Sequence, residues 1–554
     1  MASAATTVVL DQALRHPFLA ASALLFVTAW AVHQVFFAVR YPSSLPRFGG
    51  KSRIRLRDRW RFHTDAPSLH KEAYENYSKK GKTVLIPGLA FHDDVVLPPS
   101  ALKWLQRQPE HLVSASHAQV ETIQPFYAFG DDKFVDDPWA GLLIKTDLNL
   151  VLENVCAAMN DELAVAIDSH FGTDTDNWRE IDLMFAVRMI IAQASSRFTL
   201  GGSPRGRELC RNKGYLQTCL SVSDALVTNT GVSMLCPKIL RPIFGRLGRI
   251  PAQREMRVLE KYFEPVYRER LEMLTQQEDP EDIKDHLHMM FRYGLANRRE
   301  EVHNLSDMTK RLSLANFGSM HQTSIQVVNM LLNILSSDAE FNTVALLRDE
   351  ISRVVYATGN NENAWTKSKV AAMTRADSAA RETMRTHPFG SRSVNRTIVA
   401  EGVVTEDGIP LPKGANVSVL SYWSQNDSDV VENPEKFDPF RYSRIREAAE
   451  MNNNNNNNNN TDNNNNNKNT NLGQLSFVSL GPQHLSFSYG KHACPGRFLV
   501  DFELKMVIAH MLRNYDIELA PEHNGKRPEN VFRTEVHFPP DVAKIRVRRR
   551  VDKN

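Results

Sequence analysis

One of the five cysteines stands where its sulfur can do chemistry. The run Phe487-Ser488-Tyr489-Gly490-Lys491-His492-Ala493-Cys494-Pro495-Gly496-Arg497 puts one glycine four residues before Cys494 and another two after it. Glycines let a backbone turn tightly and approach a flat ligand. Beyond the loop, Phe498, Leu499, Phe502, Met506 and Ile508 to Met511 form a helical face. Cys494 therefore lies just ahead of a helix N-terminus, with Pro495 suited to the first turn. Free amides and the helix dipole there stabilise a thiolate. Such a thiolate is either a nucleophile or a metal ligand. No second cysteine is near, which disfavours zinc.

Other elements must hold this loop. Residues 101 to 385 read as mainly helical. Leu148, Leu152, Val155 and Met159 recur at helical spacing, and so do Val327, Met330, Leu331 and Ile334 in a central helix around Leu312 to Leu335. Glu382 and Arg385 share a helix face and can pair, a pattern that alone is usually a solvated salt bridge. Strand-like runs are few: Thr83 to Ile86, Val403 to Thr405, Val417 to Leu420 and Lys544 to Val547. The pattern predicts a mainly α fold with small peripheral β-sheets.

The N-terminal stretch from His16 to Val39 contains no Asp, Glu, Lys or Arg, and roughly 20 apolar residues span a bilayer. It reads as an uncleaved transmembrane signal anchor over 17–39, after a short lumenal segment 1–16, with a buried soluble helix as the alternative. Residues 47 to 61 then carry seven basic side chains against the single acid Asp58. The positive-inside rule places everything after Arg40, including this Pro- and Arg-rich linker of 40–61, in the cytosol. The basic run could bind RNA instead, but anionic headgroups are the nearer partner. Residues 452 to 471 contain 16 Asn in 20 and read as a disordered surface insert.

Composition is ordinary for a globular chain, with 42% hydrophobic and 24% charged residues among 554. The net charge of +3 excludes a general nucleic-acid binder, and five cysteines without a C-x-x-C pair disfavour a disulfide framework or zinc-finger array. At roughly 150 residues per domain the length suggests three or four domains. The anchor, linker and insert absorb much of the excess, leaving one catalytic domain over 62–554.

Phe487, Gly490, His492, Cys494 and Gly496 match the heme-binding signature F-x-x-G-x-[RH]-x-C-x-G, and the chain resembles the cytochrome P450 family. Glu382-Thr383-Met384-Arg385 resembles that family's E-x-x-R, and Phe437 to Tyr442 resembles its F-x-P-x-R-F, in which Arg441 joins Glu382 and Arg385 as structural support for the cysteine loop. Ser319-Met320-His321-Gln322-Thr323-Ser324 stands where the family carries [AG]-G-x-[DE]-T-[TS]. Thr323 is kept and the acid is replaced by Gln322. Fungal secondary-metabolite oxidases of the ent-kaurene-oxidase-like group are similar here, with A-x-H-T-T.

The resemblance implies a P450 fold, heme b held by an axial Cys494 thiolate, and Phe487, Gly490, His492 and Gly496 around it. It implies Thr323 at the oxygen site, with His321 lining the substrate pocket or relaying protons. No W-x-x-x-R occurs in the 139 to 160 helix. Arg396, or Lys145, is then the candidate partner for a heme propionate. Ser488 stands where fungal relatives often have Gly, which predicts a stiffer loop. Phe126, Phe129, Phe317, Ser319, Phe389 and Phe538 fall in ranges that line the family's pocket. Implied partners are an NADPH–cytochrome P450 reductase, optionally cytochrome b5, membrane lipid and a hydrophobic small molecule, on the endoplasmic reticulum membrane. The implied activity is monooxygenation of a terpenoid or polyketide-derived intermediate. A heme-thiolate isomerase or dehydratase and a non-catalytic heme sensor stand as alternatives.

Overall fold

The computed structural model describes residues 17–36, 38–50, 56–89, 92–276, 285–356, 365–458 and 472–551. A long central helix organises the fold. It runs as Leu305–Asn316, widens into a π-helical turn at Phe317–His321, and continues as Gln322–Phe341. From Ile325 to Ile334 every residue is buried, so this segment is surrounded by protein on all sides. Helices Trp139–Phe171, Leu183–Leu200, Lys213–Leu235 and Arg241–Thr275 pack around its first half. Thr374–Thr386 and Arg497–Asn514 pack against its second half. The π turn breaks the single helix expected over Leu312 to Leu335. Such turns appear mostly inside α-helices at functional sites.

The sheets are peripheral. The largest has five strands in the order Val84–Pro87, Asp93–Leu97, Asn416–Val419, Ser393–Ile398 and Val113–Ser114. Asp93–Leu97 pairs with Asn416–Val419 in parallel, and the other neighbours are antiparallel. A three-stranded sheet joins Arg179–Asp182, Lys544–Arg549 and Tyr515–Leu519. All four expected strand runs lie in or beside strands. Asp93–Leu97 was missed because it opens on two acids. Both are buried, and tertiary cations neutralise them: Arg59 meets Asp93 at 2.9 Å and Arg392 meets Asp94 at 2.9 Å.

Two boundaries shift. The folded body begins before residue 62: Leu45 and Phe48 are buried, and Phe48 N donates to Leu85 O at 2.9 Å. Within the basic linker, Arg59 is itself buried against Asp93, and Arg61 pairs with Glu72. The linker is thus partly folded onto the domain. The Arg441–Asn458 helix also runs through the first seven residues of the Asn-rich insert. Asn is a modest helix former, but adding residues to an existing helix avoids the cost of nucleation. Residues 459–471 of that insert lie outside the described residues. Helix Pro17–Phe36 occupies the expected anchor position. Among the described residues, no helix is long and apolar enough to cross a membrane. The segment 1–16 is outside the described residues.

Candidate active site

The cysteine loop is closed by its own backbone. Cys494 N donates to Phe487 O at 2.9 Å, and Ala493 N donates to Gly490 O at 3.1 Å. Gly490 has φ +71°, and a Cβ there would stand 2.8 Å from Gln106. Only glycine suits that position. Ser488 takes φ +65°, so the serine expected to stiffen this loop occupies the left-handed region. Phe487 packs edge-on against Phe477 with centroids 5.1 Å apart, fixing the loop to the core.

Cys494 directly precedes the turn that opens the Arg497–Asn514 helix. Burial pushes its thiol pKa up; backbone N–H groups of Gly496 and Arg497, and the Arg497 charge, pull it back. Arg497 also clamps the loop by donating to Val478 O and Cys494 O at 3.2 and 2.9 Å. The other four cysteines are buried free thiols. Burial pushes Cys156 and Cys219 up to about 12. Among the described residues, no cluster of three or more His, Cys, Asp or Glu could hold a metal ion. A macrocyclic cofactor would bring the remaining ligands to a metal on Cys494.

Basic side chains suited to a macrocycle's carboxylates converge beside the loop. His492 Nε2 lies 3.1 Å from Glu110 Oε2. Burial, then the charge of Arg396, lowers the proton affinity of His492, and Glu110 opposes them. Arg396 is buried on strand Ser393–Ile398 just past an irregularity, where Val394 has φ +58°. Lys145 Nζ reaches Lys491 O at 3.5 Å. A cysteine sulfur at a helix head and basic groups for an anionic edge stand side by side, so the residues present fit a heme.

Glu382, Arg385 and Arg441 meet as one network. Arg385 Nε and Nη2 donate to the two Glu382 oxygens at 2.8 and 2.6 Å, and Arg441 Nε donates to Oε1 at 3.0 Å. The guanidinium groups also donate to the backbone carbonyls of Pro434, Lys436 and Glu432. That ties the Thr374–Thr386 helix to the segment leading to the cysteine loop. A second bridge lies behind the loop. Buried Lys505 reaches Asp501 at 2.6 Å on its own helix and Asp377 at 2.8 Å on the Thr374–Thr386 helix.

On the central helix, Gly318 and Gln322 are the exposed positions in an otherwise mostly buried stretch. They lie one turn apart on the same open side. His321 beside them stacks on Phe317 at 5.7 Å and meets Phe389 edge-on at 6.5 Å, and Phe389 in turn meets Phe538 at 6.4 Å. Burial, then the charge of Arg188, lowers the proton affinity of His321, while Asp224 opposes them. Its Nε2 is buried without a partner. Phe126 is exposed, whereas Phe129 is buried and packs on Phe134 in the core.

Thr323 faces a different environment from Gln322. It is only 1% exposed, turned inward one residue round from Gln322. Its hydroxyl lies beside the Glu503 carboxyl, yet outside hydrogen-bonding geometry, so Thr323 Oγ1 and Glu503 Oε2 are both buried without a partner. Ser195 Oγ donates to Glu503 Oε1 at 2.7 Å. Burial raises the Glu503 carboxyl to about 8, which leaves it protonated near neutrality. Sequence reasoning passed over Glu503. The available signal was an acid set inside the apolar run Phe498 to Met511.

Comparison with known proteins agrees with this geometry. The family model described as Cytochrome P450 matches residues 143–546. The chain is 45% identical over 530 residues to cytochrome P450 monooxygenase pbrC of Penicillium brasilianum, covering 94% of this chain and 95% of that protein. It is 44% identical over 531 residues to cytochrome P450 monooxygenase astC of Aspergillus terreus, with 94% and 95% covered. Cytochrome P450 monooxygenase tenB of Beauveria bassiana is 38% identical over 500 residues, with 89% of each chain covered.

Proposed function

The chain belongs to the cytochrome P450 family and is a P450 monooxygenase; on that footing we propose that Cys494 holds its heme and that it oxidises an apolar terpenoid or polyketide-derived intermediate of fungal secondary metabolism. The observation that carries the first part is the half-buried Cys494 sulfur, faced by two backbone N–H groups at the head of the Arg497–Asn514 helix. The fungal sources of pbrC, astC and tenB support the metabolic setting.

A thiolate-held heme supplies activation of dioxygen, with electrons that begin on NADPH and arrive through a reductase. The chain's own residues do the rest. The amides of Gly496 and Arg497 favour the thiolate over the thiol. Arg396, His492 and Lys145 would hold the ring's carboxylates, and Glu110 orients His492. Gln322, on the open side of the central helix, can hold and orient water but cannot ionise. Protons therefore come from water bound there. His321, Phe317, Phe389 and Phe538 form an aromatic wall suited to an apolar substrate. The unpaired Nε2 of the neutral His321 can accept a hydrogen bond from a substrate hydroxyl.

We place the enzyme on the cytosolic face of the endoplasmic reticulum membrane, with cytochrome b5 as an optional second electron donor. Leu24, Leu25, Val27, Val35 and Phe36 are exposed on the Pro17–Phe36 helix. A second apolar strip, Ile239, Ile243, Leu247 and Ile250, is exposed beside Arg246 and Arg249. Apolar side chains flanked by arginine suit a lipid surface. The test is reconstitution with NADPH–cytochrome P450 reductase in vesicles. Conversion of an apolar terpenoid or polyketide that needs both NADPH and oxygen is the expected result. Conversion confined to polar, water-soluble substrates would overturn the substrate reading.

A further inference from the structure

Polar side chains recur along one line of the central helix after the π turn. Gln322, Gln326, Asn329 and Asn333 are spaced four, three and four residues apart. At about 100° per residue they fall within roughly 60° of arc. Their neighbours on the same turns, Val327, Val328, Met330, Leu331 and Ile334, are fully buried apolar residues. A packed helix does not need an amide stripe, because each buried amide costs free energy unless its donors and acceptors are met.

Part of the stripe is met by protein. Gln326 Nε2 donates to His387 O at 3.2 Å, and Asn333 Nδ2 donates to Thr383 Oγ1 at 3.2 Å. Arg527 donates to Asn333 Oδ1 at 2.6 Å, and to Asn329 Oδ1 and Asn530 Oδ1 at 2.8 Å each. A guanidinium can only donate, so it fixes these three carbonyl oxygens towards itself and turns the amide nitrogens away. What remains is consistent along the line. Gln326 Oε1, Asn329 Nδ2 and Asn530 Nδ2 are all buried without a partner. Buried polar groups left by the protein are ordinarily satisfied by internal water.

The stripe also has two ends. Gln322 lies on the open side of the helix with Gly318, next to His321 and its aromatic wall. Arg527 lies at the other end, beside the exposed residues Asn524, Gly525, Lys526 and Glu529. Among the described residues, no carboxylate lies within ion-pairing distance of Arg527, so its positive charge is uncompensated by a carboxylate.

We propose that Gln322, Gln326, Asn329 and Asn333 line a file of water that connects the open side of the central helix at Gln322 to the surface beside Arg527. The file lets water leave when an apolar substrate enters, and lets the water formed in each turnover escape. The fixed guanidinium disfavours hydronium at the outer end, so the file passes water and not protons. The existence of the file needs only the helix and its open side. Its role in turnover rests on the monooxygenase reading.

The direct test is a high-resolution crystal structure of the full chain. Ordered water within hydrogen-bond distance of Gln326 Oε1, Asn329 Nδ2 and Asn530 Nδ2 is expected, and direct protein partners for all three would overturn the file. The functional test is Asn329→Leu, with Gln326→Met as a second variant should the first fail to fold. Stopped-flow absorbance of the heme band on mixing with an apolar ligand reads the loss of cavity water. The variants should slow that phase about tenfold while leaving its final amplitude and the CO-bound spectrum unchanged. An unchanged rate in a folded variant with an intact CO spectrum would overturn the proposal. An altered CO spectrum in the unsubstituted protein would instead count against the heme-thiolate reading.

Discussion

Arg441 Nε donates to Glu382 Oε1 at 3.0 Å, across 59 residues of sequence, and Glu382 has no exposure to solvent. Two guanidinium groups therefore share one buried carboxylate. Removing that charge strands both. Glu382→Gln should destabilise the fold by about 3–5 kcal/mol, because an unpaired buried charge costs more than the pair contributes. Urea titration followed by far-UV dichroism and heme content should show both falling together. A variant that keeps its heme and its unfolding midpoint would remove the network from its supporting role.

Ser488 is expected to be a liability. Its φ of +65° lies where a side chain costs about 1 kcal/mol relative to glycine. Ser488→Gly should raise stability by roughly that amount and leave the heme spectrum unchanged, because the backbone closure from Cys494 N to Phe487 O does not involve the serine side chain. A lower unfolding midpoint would show that the hydroxyl contributes more than the strain removes.

Gln322 and Thr323 are adjacent in sequence and face opposite environments. Gln322→Ala should disturb water at the open side and raise peroxide released per NADPH about tenfold. Thr323→Ala removes a hydroxyl packed against Glu503 and should leave coupling within about twofold. Peroxide yield and product yield per NADPH check both. The reverse pattern would assign the oxygen-site role to Thr323 instead of Gln322.

The Glu503 carboxyl gives the fold a pH dependence with a definite sign. Burial raises it to about 8 from an ordinary value of 4.5. Above pH 4.5 the unfolded chain gives up a proton that the folded chain keeps. The stability this group contributes is thus complete below pH 4.5 and is lost as pH rises towards about 8. Glu503→Gln should flatten that decline, read as unfolding midpoints from pH 5 to pH 8. An equally steep decline in the variant would assign the effect to other groups.

Legibility followed the range over which each feature is determined. The cysteine loop was readable because its glycines, cysteine and following helix are local in sequence. The fold class was readable from apolar periodicity. Strand Asp93–Leu97 was not, because its two leading acids are neutralised by Arg59 and Arg392, which come from distant segments. The motif could supply a threonine near the oxygen site. It could not say which of two adjacent positions, about 100° apart on the helix, faces open space. Glu503 was hidden for a related reason: only the approach of Ser195 and Thr323 from two other helices makes it more than one acid in an apolar run.

The central claim is that Cys494 is the heme ligand as a thiolate, and one spectrum tests it most directly. The reduced, CO-bound enzyme should show the red-shifted Soret band of thiolate ligation, and Cys494→Ala should abolish it. A reduced CO complex without that shift, or one in which the band survives Cys494→Ala, would contradict the account.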